Sequence, residues 1–342
     1  MSRAESGHAP RRLVRVLTNL RRLDGVQSRH YSIQARYAGE RNTIWSYLSL
    51  FVQSFHFDAV VFSSETRPLL IFCVLKALCP FNPCRLVGVD YILQMPLSAS
   101  QRGLACVKGW LLRRVDCFVL HFKDTSVYRE FYGIPASRCR FVPFKVNYWE
   151  HLEGREFSSD GDYVFTAGRS FRDIPTFLRA MKQAGCPGLL LYEDVDTMQE
   201  AGTGFDFADV PPNVRAVKNE GEQSWVDYIA KSKVVVIPLK SVSGYAPGLS
   251  LYLMAMAMNK CVVITEGLAT RGLLTDEALV VPPGDSAAMA DAIVRLWENA
   301  SIRENVAKRG RAYAMALGGE PRLLSDIAEV CGGQVYGVTA EP

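Results

Sequence analysis

The segment Gly168-Arg169-Ser170-Phe171-Arg172-Asp173 follows an apolar run, Tyr163–Thr166, and carries two arginines three residues apart. Arginines at the carboxyl end of a buried strand can grip both phosphates of a diphosphate, each charge-assisted contact contributing ~1.5–3 kcal/mol. The same arginine could instead pair with Asp173 at the surface. A second segment, Ser243 to Thr265, runs from a Gly/Pro/Ser loop through an apolar helical stretch, Leu249–Met258, into the strand-like run Cys261–Thr265. Gly244 and Gly248 permit close backbone approach to a ligand. The free N–H groups at the start of such a helix, around Gly248, Leu249, Ser250 and Leu251, suit a phosphate. A plain strand-loop-helix connection would read the same way. Asn259 stands where the helix should end in a left-handed residue.

In the first half the candidates are Asp90, ending the run Arg85–Val89, and His121 with Lys123, just after Asp116–Leu120. Asp90 could accept a hydrogen bond from a hydroxyl or act as a base, although aspartate at a strand end is also a common turn former. A histidine in that place is more often structural than catalytic. Glu65 lies beyond Ala59–Ser63, on the same rim. All five histidines fall at or before position 151, and no HExxH or clustered Cys/His spacing occurs, so no metal site is expected. Nine cysteines without CxxC spacing fit a reducing, cytoplasmic compartment.

These residues need elements to position them. Short runs rich in Val, Ile, Leu and Phe recur along the chain, each followed by a helix-length segment. They are Leu13–Leu17, Ala59–Phe62, Arg85–Val89, Asp116–Leu120 and Arg140–Val142, then Tyr163–Thr166, Gly188–Tyr192, Asn213–Val217, Lys233–Pro238, Cys261–Thr265 and Leu279–Val281. Continuous rather than alternating apolar runs indicate strands buried on both faces, hence parallel α/β sheets. At 342 residues there is room for two such domains. The polar stretch from about Asn147 to Asp162 divides them into 1–150 and 151–315, with a last helix and tail over 316–342. Asp285 or Ser286 should cap a helix, Ser301 and Glu304 should form a capping box, and a helix over about Pro321–Val330 should stop at Gly332-Gly333.

Residues 1–150 hold 21 Lys and Arg against 10 Asp and Glu, a net +11, while the remainder nets −7. The basic half is suited to an anionic partner: a lipid surface, a polyprenyl phosphate or nucleic acid. No nucleic-acid-binding motif accompanies it, so nucleic acid is not expected. Arg102, Lys108, Arg113 and Arg114 flank Gly103–Leu112, an apolar stretch with Trp110 that describes either an interfacial helix or one packed in the domain. No apolar stretch of about 18 residues is present, so a spanning helix is not expected.

From about Asp116 to Tyr313 the chain resembles the retaining GT-B glycosyltransferases of family 4, also called group 1. The resemblance rests on Arg140-Phe-Val-Pro143, the Gly168-Arg169 turn, Val234-Val-Val-Ile-Pro-Leu239, Gly248 through Val263, and Val281-Pro-Pro-Gly-Asp285. It implies two doubly wound Rossmann-like domains facing across a cleft, acceptor binding in the first and donor binding in the second. Arg169 and Arg172 would hold the diphosphate of a nucleotide-sugar donor, with the helix start at Gly248–Leu251 and the loop Gly244, Tyr245 and Ala246 beside it. Asp90 and His121 would face the reacting groups, and no metal or other cofactor would be needed. The acceptor would be a lipid-linked, polysaccharide or secondary-metabolite hydroxyl, reached by a cytoplasmic protein resting on the inner face of the membrane. One departure is clear: the family's Glu-x7-Glu pair is replaced by Ala246 and Met254. A thioether is a poor acceptor for ribose hydroxyls. The ribose is then held otherwise, the donor is unusual, or catalysis is lost and an inactive binding protein of the same fold remains. A GT-B sugar-nucleotide epimerase is the further alternative.

Overall fold

The computed structural model describes residues 10–39, 43–64, 66–241, 244 and 246–338. The described chain forms two compact units, each built on a six-stranded parallel sheet.

In the first unit the chain runs β1 (Arg12–Thr18), β2 (Tyr31–Tyr37), α1 (Ile44–Ser54), β3 (Ala59–Ser63), α2 (Thr66–Leu78) and β4 (Arg85–Val89). It continues through α3 (Ala99–Leu112), β5 (Cys117–Leu120), α4 (Ser126–Tyr132) and β6 (Cys139–Phe141). The strand order is β2-β1-β3-β4-β5-β6, so the direction of travel reverses between β1 and β3. Ala59, Val60 and Val61 are fully buried, as their continuous apolar run requires. β2 was not signalled by such a run. Its sequence, YSIQARY, buries Tyr31 and Ile33 in alternation because only one face of this edge strand is covered.

A short helix, α5 (Trp149–Leu152), precedes the second sheet. There the order is β7 (Tyr163–Ala167), α6 (Ile174–Ala184), β8 (Gly188–Tyr192), α7 (Val195–Glu200), β9 (Val214–Lys218) and α8 (Glu222–Ala230). Then come β10 (Ser232–Ile237), α9 (Leu249–Ala257), β11 (Cys261–Thr265), β12 (Leu279–Val281), α10 (Ser286–Glu298) and α11 (Ala300–Leu317). The strand order β12-β11-β10-β7-β8-β9 places the reversal between β7 and β10. Asp285 caps α10 by accepting from Ala287 and Ala288 N–H at 3.1 and 2.9 Å. The capping box expected at Ser301 is absent: α11 starts earlier, capped by Asn299, whose side chain accepts from Ile302 N–H.

The last helix, α12 (Glu320–Tyr336), does not stop at Gly332-Gly333. It runs through both glycines and packs Leu323, Leu324, Ile327, Ala328 and Cys331 against Val14, Val16, Val87 and Val119 of the first sheet. A Cβ on Gly332 would lie 2.2 Å from the Tyr31 ring, so close packing, not helix termination, explains this glycine.

Candidate functional site

In a doubly wound sheet the loops at the reversal point diverge and leave a crevice at the carboxyl ends of the strands. In the second unit those loops follow β7 and β10, and they are stitched together. Asp173 N–H donates to Pro238 O and Lys240 N–H to Phe171 O, both at 3.0 Å, around an antiparallel bridge between Arg172 and Leu239. Leu239 N–H also donates to Thr265 Oγ1 at 3.0 Å, which fixes the loop to the end of β11. Lys240 Nζ donates to Gly202 O at 2.6 Å. The turn bearing Arg169 and the loop leading to α9 are therefore one hydrogen-bonded assembly.

Within it the two arginines differ. Arg169 is exposed at the turn. Arg172 is 5% exposed; its Nε donates to Ala167 O at 3.0 Å and its Nη1 to Ser170 O at 2.8 Å. Its backbone N–H donates to Thr203 Oγ1 at 2.7 Å. Gly168 sits at φ +107°, and a Cβ there would lie 2.5 Å from the Arg172 guanidinium. Arg172 thus holds the turn that presents Arg169, and of the two arginines only Arg169 is exposed. Its carbonyl partners compensate a buried cation that would otherwise be costly.

Gly248 opens α9 at φ +94°, the left-handed region that a larger residue would resist, with Ile237 Cγ2 3.0 Å from where a Cβ would be. Gly248 O accepts from Leu251 and Tyr252 N–H, both at 3.1 Å. The N–H groups of Leu249 and Ser250, in the first turn, have no intrahelical acceptor and carry the positive end of the helix dipole. Ser250 is exposed, whereas Leu249 and Leu251 are buried. Gly244 and Ala246 are buried in the preceding loop; Tyr245 lies outside the described residues. Met254 is 3% exposed on a helix buried nearly all round. Asn259 ends the helix at φ +56° as expected. Glu266, at the end of β11, is paired with Arg271 at 3.0 Å.

The first-unit candidates sit at the carboxyl ends of adjacent strands. Asp90 adopts φ +50°, and its N–H donates to Val119 O at 2.9 Å. Ser64 repeats the device after β3, at φ +56° with its N–H on Val89 O. His121 is 3% exposed, and its Nδ1–H donates to Val142 O, which can only accept, at 2.8 Å. Lys123 is exposed, and Glu65 lies outside the described residues. Sequence reasoning missed Asn19, which follows β1 at the reversal point. Its Oδ1 accepts from Ser63 N–H at 2.8 Å and its Nδ2 donates to Ser63 O at 3.2 Å. The signal was present as a polar residue directly after a buried strand. Among the described residues no three His, Cys, Asp or Glu side chains cluster as a metal site, and no helix is long and apolar enough to cross a membrane.

Residues 203–299, which include β10, the loop and α9, match the family described as glycosyl transferases group 1. Similar solved structures include a glycosyltransferase from Rickettsia africae, 10% identical with a TM-score of 0.65, covering 89% of this chain and 85% of that one. The Anabaena HepE protein in complex with UDP is 14% identical, TM-score 0.66, covering 89% and 87%. The sucrose-phosphate synthase of Thermosynechococcus elongatus is 15% identical, TM-score 0.61, covering 96% and 89%.

The chain is a GT-B protein. Within its second unit, residues 203–299 match the group 1 glycosyltransferase model. A comparison with curated proteins gives no match.

Proposed function

We propose that this GT-B chain moves a sugar from a nucleoside-diphosphate donor to a hydroxyl acceptor, and that the donor diphosphate sits at the β7/β10 reversal of the second unit. The observation that carries this reading is the Arg172–Leu239 bridge, which joins the turn presenting Arg169 to the loop that ends at the start of α9. One exposed guanidinium and the first-turn N–H groups of Leu249 and Ser250, which have no intrahelical acceptor, supply fixed positive charge for a departing diphosphate, which grows more negative as the sugar–oxygen bond breaks. With charge supplied in this way the diphosphate needs no divalent ion. Arg172 acts as a positioning residue, with Gly244, Tyr245 and Ala246 as the flanking loop. Retention of configuration is carried over from the family resemblance. Asp90 would receive a hydrogen bond from a substrate hydroxyl, with His121 as structural support at the next strand. The basic first unit favours a lipid-linked acceptor at an anionic membrane surface, for a protein in the cytoplasm.

The experiment is a thermal-shift series with UDP and UDP-sugars, chosen because the Anabaena relative was solved with UDP and with UDP-glucose. A ligand at 100 times its dissociation constant adds ~2.7 kcal/mol. Arg169→Ala should remove most of that shift and leave the melting temperature of the free protein unchanged. Arg172→Ala should lower that melting temperature, because it frees two buried carbonyls. A wild-type shift that survives Arg169→Ala would move the donor site elsewhere. The buried Met254 and Ala246, standing where the family has its glutamates, favour a second reading in which donor binds but is not turned over. Donor binding without transfer or hydrolysis would select it, and an epimerised sugar nucleotide would select the epimerase.

A further inference from the structure

Helices α1, α2 and α3 pack side by side on the first sheet. Their outward sides are apolar. On α1 the exposed residues Trp45, Leu48 and Val52 form a stripe spaced by three and four, the period of one helix face. On α3 Leu104, Val107 and Trp110 do the same at 54–58% exposure. Of the twenty large apolar side chains exposed among the described residues, thirteen lie between Ile44 and Trp110, and only Phe207 and Val280 belong to the second unit. Scattered exposed leucines mean little, but this concentration on one run of helices has a cause to be found.

Charge identifies the partner. The three helices contain no Asp or Glu and four cations, Arg67, Lys76, Arg102 and Lys108, with Arg113 and Arg114 directly after α3. The acids at the adjoining strand starts, Asp58 and Asp116, are held by Arg15 and Arg85. The Arg114 guanidinium lies 4.6 Å from the Trp110 ring centroid. Beside α3 is a groove of about 550 Å³ lined by Leu93, Met95, Leu97, Leu104 and Lys108. Its walls are fixed: Tyr132 Oη donates to Gln94 O at 2.7 Å, Tyr128 Oη donates to Tyr91 O, and Gln101 Oε1 accepts from Leu97 N–H at 2.7 Å. A Cβ on Gly109 would lie 2.2 Å from Tyr132 O, so the glycine lets α3 and α4 close on each other.

We infer that the α1–α3 face is a membrane-docking surface that inserts Trp45, Leu48, Val52, Leu104, Val107 and Trp110 among the lipids of an anionic bilayer. Lys and Arg on helices that carry no acid select the anionic surface, while buried apolar area holds the protein there after the charges are screened. A second copy of the chain would fit the apolar area but would set the cations of these helices against like charges. The inference rests on the reading that the first unit meets an anionic surface, and its test does not use sugar transfer.

The test is sedimentation of the full chain with phosphatidylglycerol/phosphatidylethanolamine vesicles and with phosphatidylcholine vesicles, at 0.1 and 0.5 M salt. Binding to the anionic vesicles should persist in part at 0.5 M salt. Lipids brominated near the headgroup should quench tryptophan fluorescence in the wild type. Trp45→Ser with Val52→Ser, and separately Leu104→Ser with Val107→Ser, should each weaken binding about tenfold, at unchanged melting temperature because these side chains are exposed. Arg102→Gln with Lys108→Gln should erase the preference for anionic vesicles. Absence of vesicle binding, complete release at 0.5 M salt without quenching, or a concentration-dependent dimer broken by the serine pairs would each overturn the inference. If vesicle binding fails while UDP still raises the melting temperature, the donor-site reading stands alone; the reverse result leaves only the membrane surface.

Discussion

The two units share an architecture and differ in where they leave their apolar surface. Each has a six-stranded parallel sheet with a reversal point near its centre. In the second unit even the helix nearest the reversal, α9, is buried apart from Ser250, and polar capacity is concentrated in the loops that precede it. In the first unit α1 and α3 leave apolar stripes open while Asp90 and His121 stay at the strand ends. Under the two proposals made above, one sheet type serves two tasks: the strand-end loops of the second unit take a small anion, and the helix faces of the first take an extended surface. The difference lies in the outward positions of the helices, which the sheet does not constrain.

The sharpest way to strain this comparison is Met254→Glu. It places a carboxyl on the buried helix and should cost ~2–4 kcal/mol at pH 7. Burial would raise the carboxyl pKa in the folded state, so the destabilisation should be small near pH 4 and grow as pH rises through the unfolded value. Equal melting temperatures for wild type and variant across that range would mean that α9 opens onto solvent at this position. Recovery of stability on adding UDP-sugar would mean that a ribose meets it.

Gly332→Val tests the other unit. The added side chain must displace the Tyr31 ring, and overpacking of this kind costs ~1–3 kcal/mol. Urea unfolding should show a lower midpoint with donor affinity unchanged, because α12 packs on the first sheet. Loss of donor binding at full stability would contradict that separation.

Asp285→Ala removes two N–H partners from the start of α10 and should cost ~1 kcal/mol, with the same slope in urea. A pH-dependent effect is expected at Lys260, fully buried just before β11, with Nζ donating to Asp160 O at 3.1 Å. Burial lowers its pKa to about 8. The unfolded chain therefore binds more protons between that value and the ordinary 10.5, and this lysine's contribution to stability should rise with pH over the interval. The readout is the stability difference between wild type and Lys260→Met. It should favour the variant most below pH 8 and narrow towards pH 10.5; a difference independent of pH would show that the ammonium is solvated.

Much of the molecule was legible because its signals are local. Continuous apolar runs marked every strand but β2, whose alternation was hidden by the arginine and glutamine that an open edge tolerates. The Asp285 cap and the left-handed Asn259 followed from side-chain chemistry within a few residues. Strand-end logic also selected the loop segments that the structure joins at the β7/β10 reversal.

What sequence order could not decide was which of two neighbouring groups a fold uses up. Arg169 and Arg172 are equivalent as residue types. Only the packed turn makes one a buried clamp for Ala167 O and Ser170 O and leaves the other exposed. Likewise Gly332 is a stop signal by composition and a packing contact in place, because the Tyr31 ring comes from a strand about 300 residues earlier. The sequence alone determined the two-sheet α/β plan, the basic first half and the missing glutamate pair, since composition, periodicity and identity need no partner. The tertiary structure alone decided which apolar residues remain exposed, because burial depends on what packs against a helix and not on the helix itself.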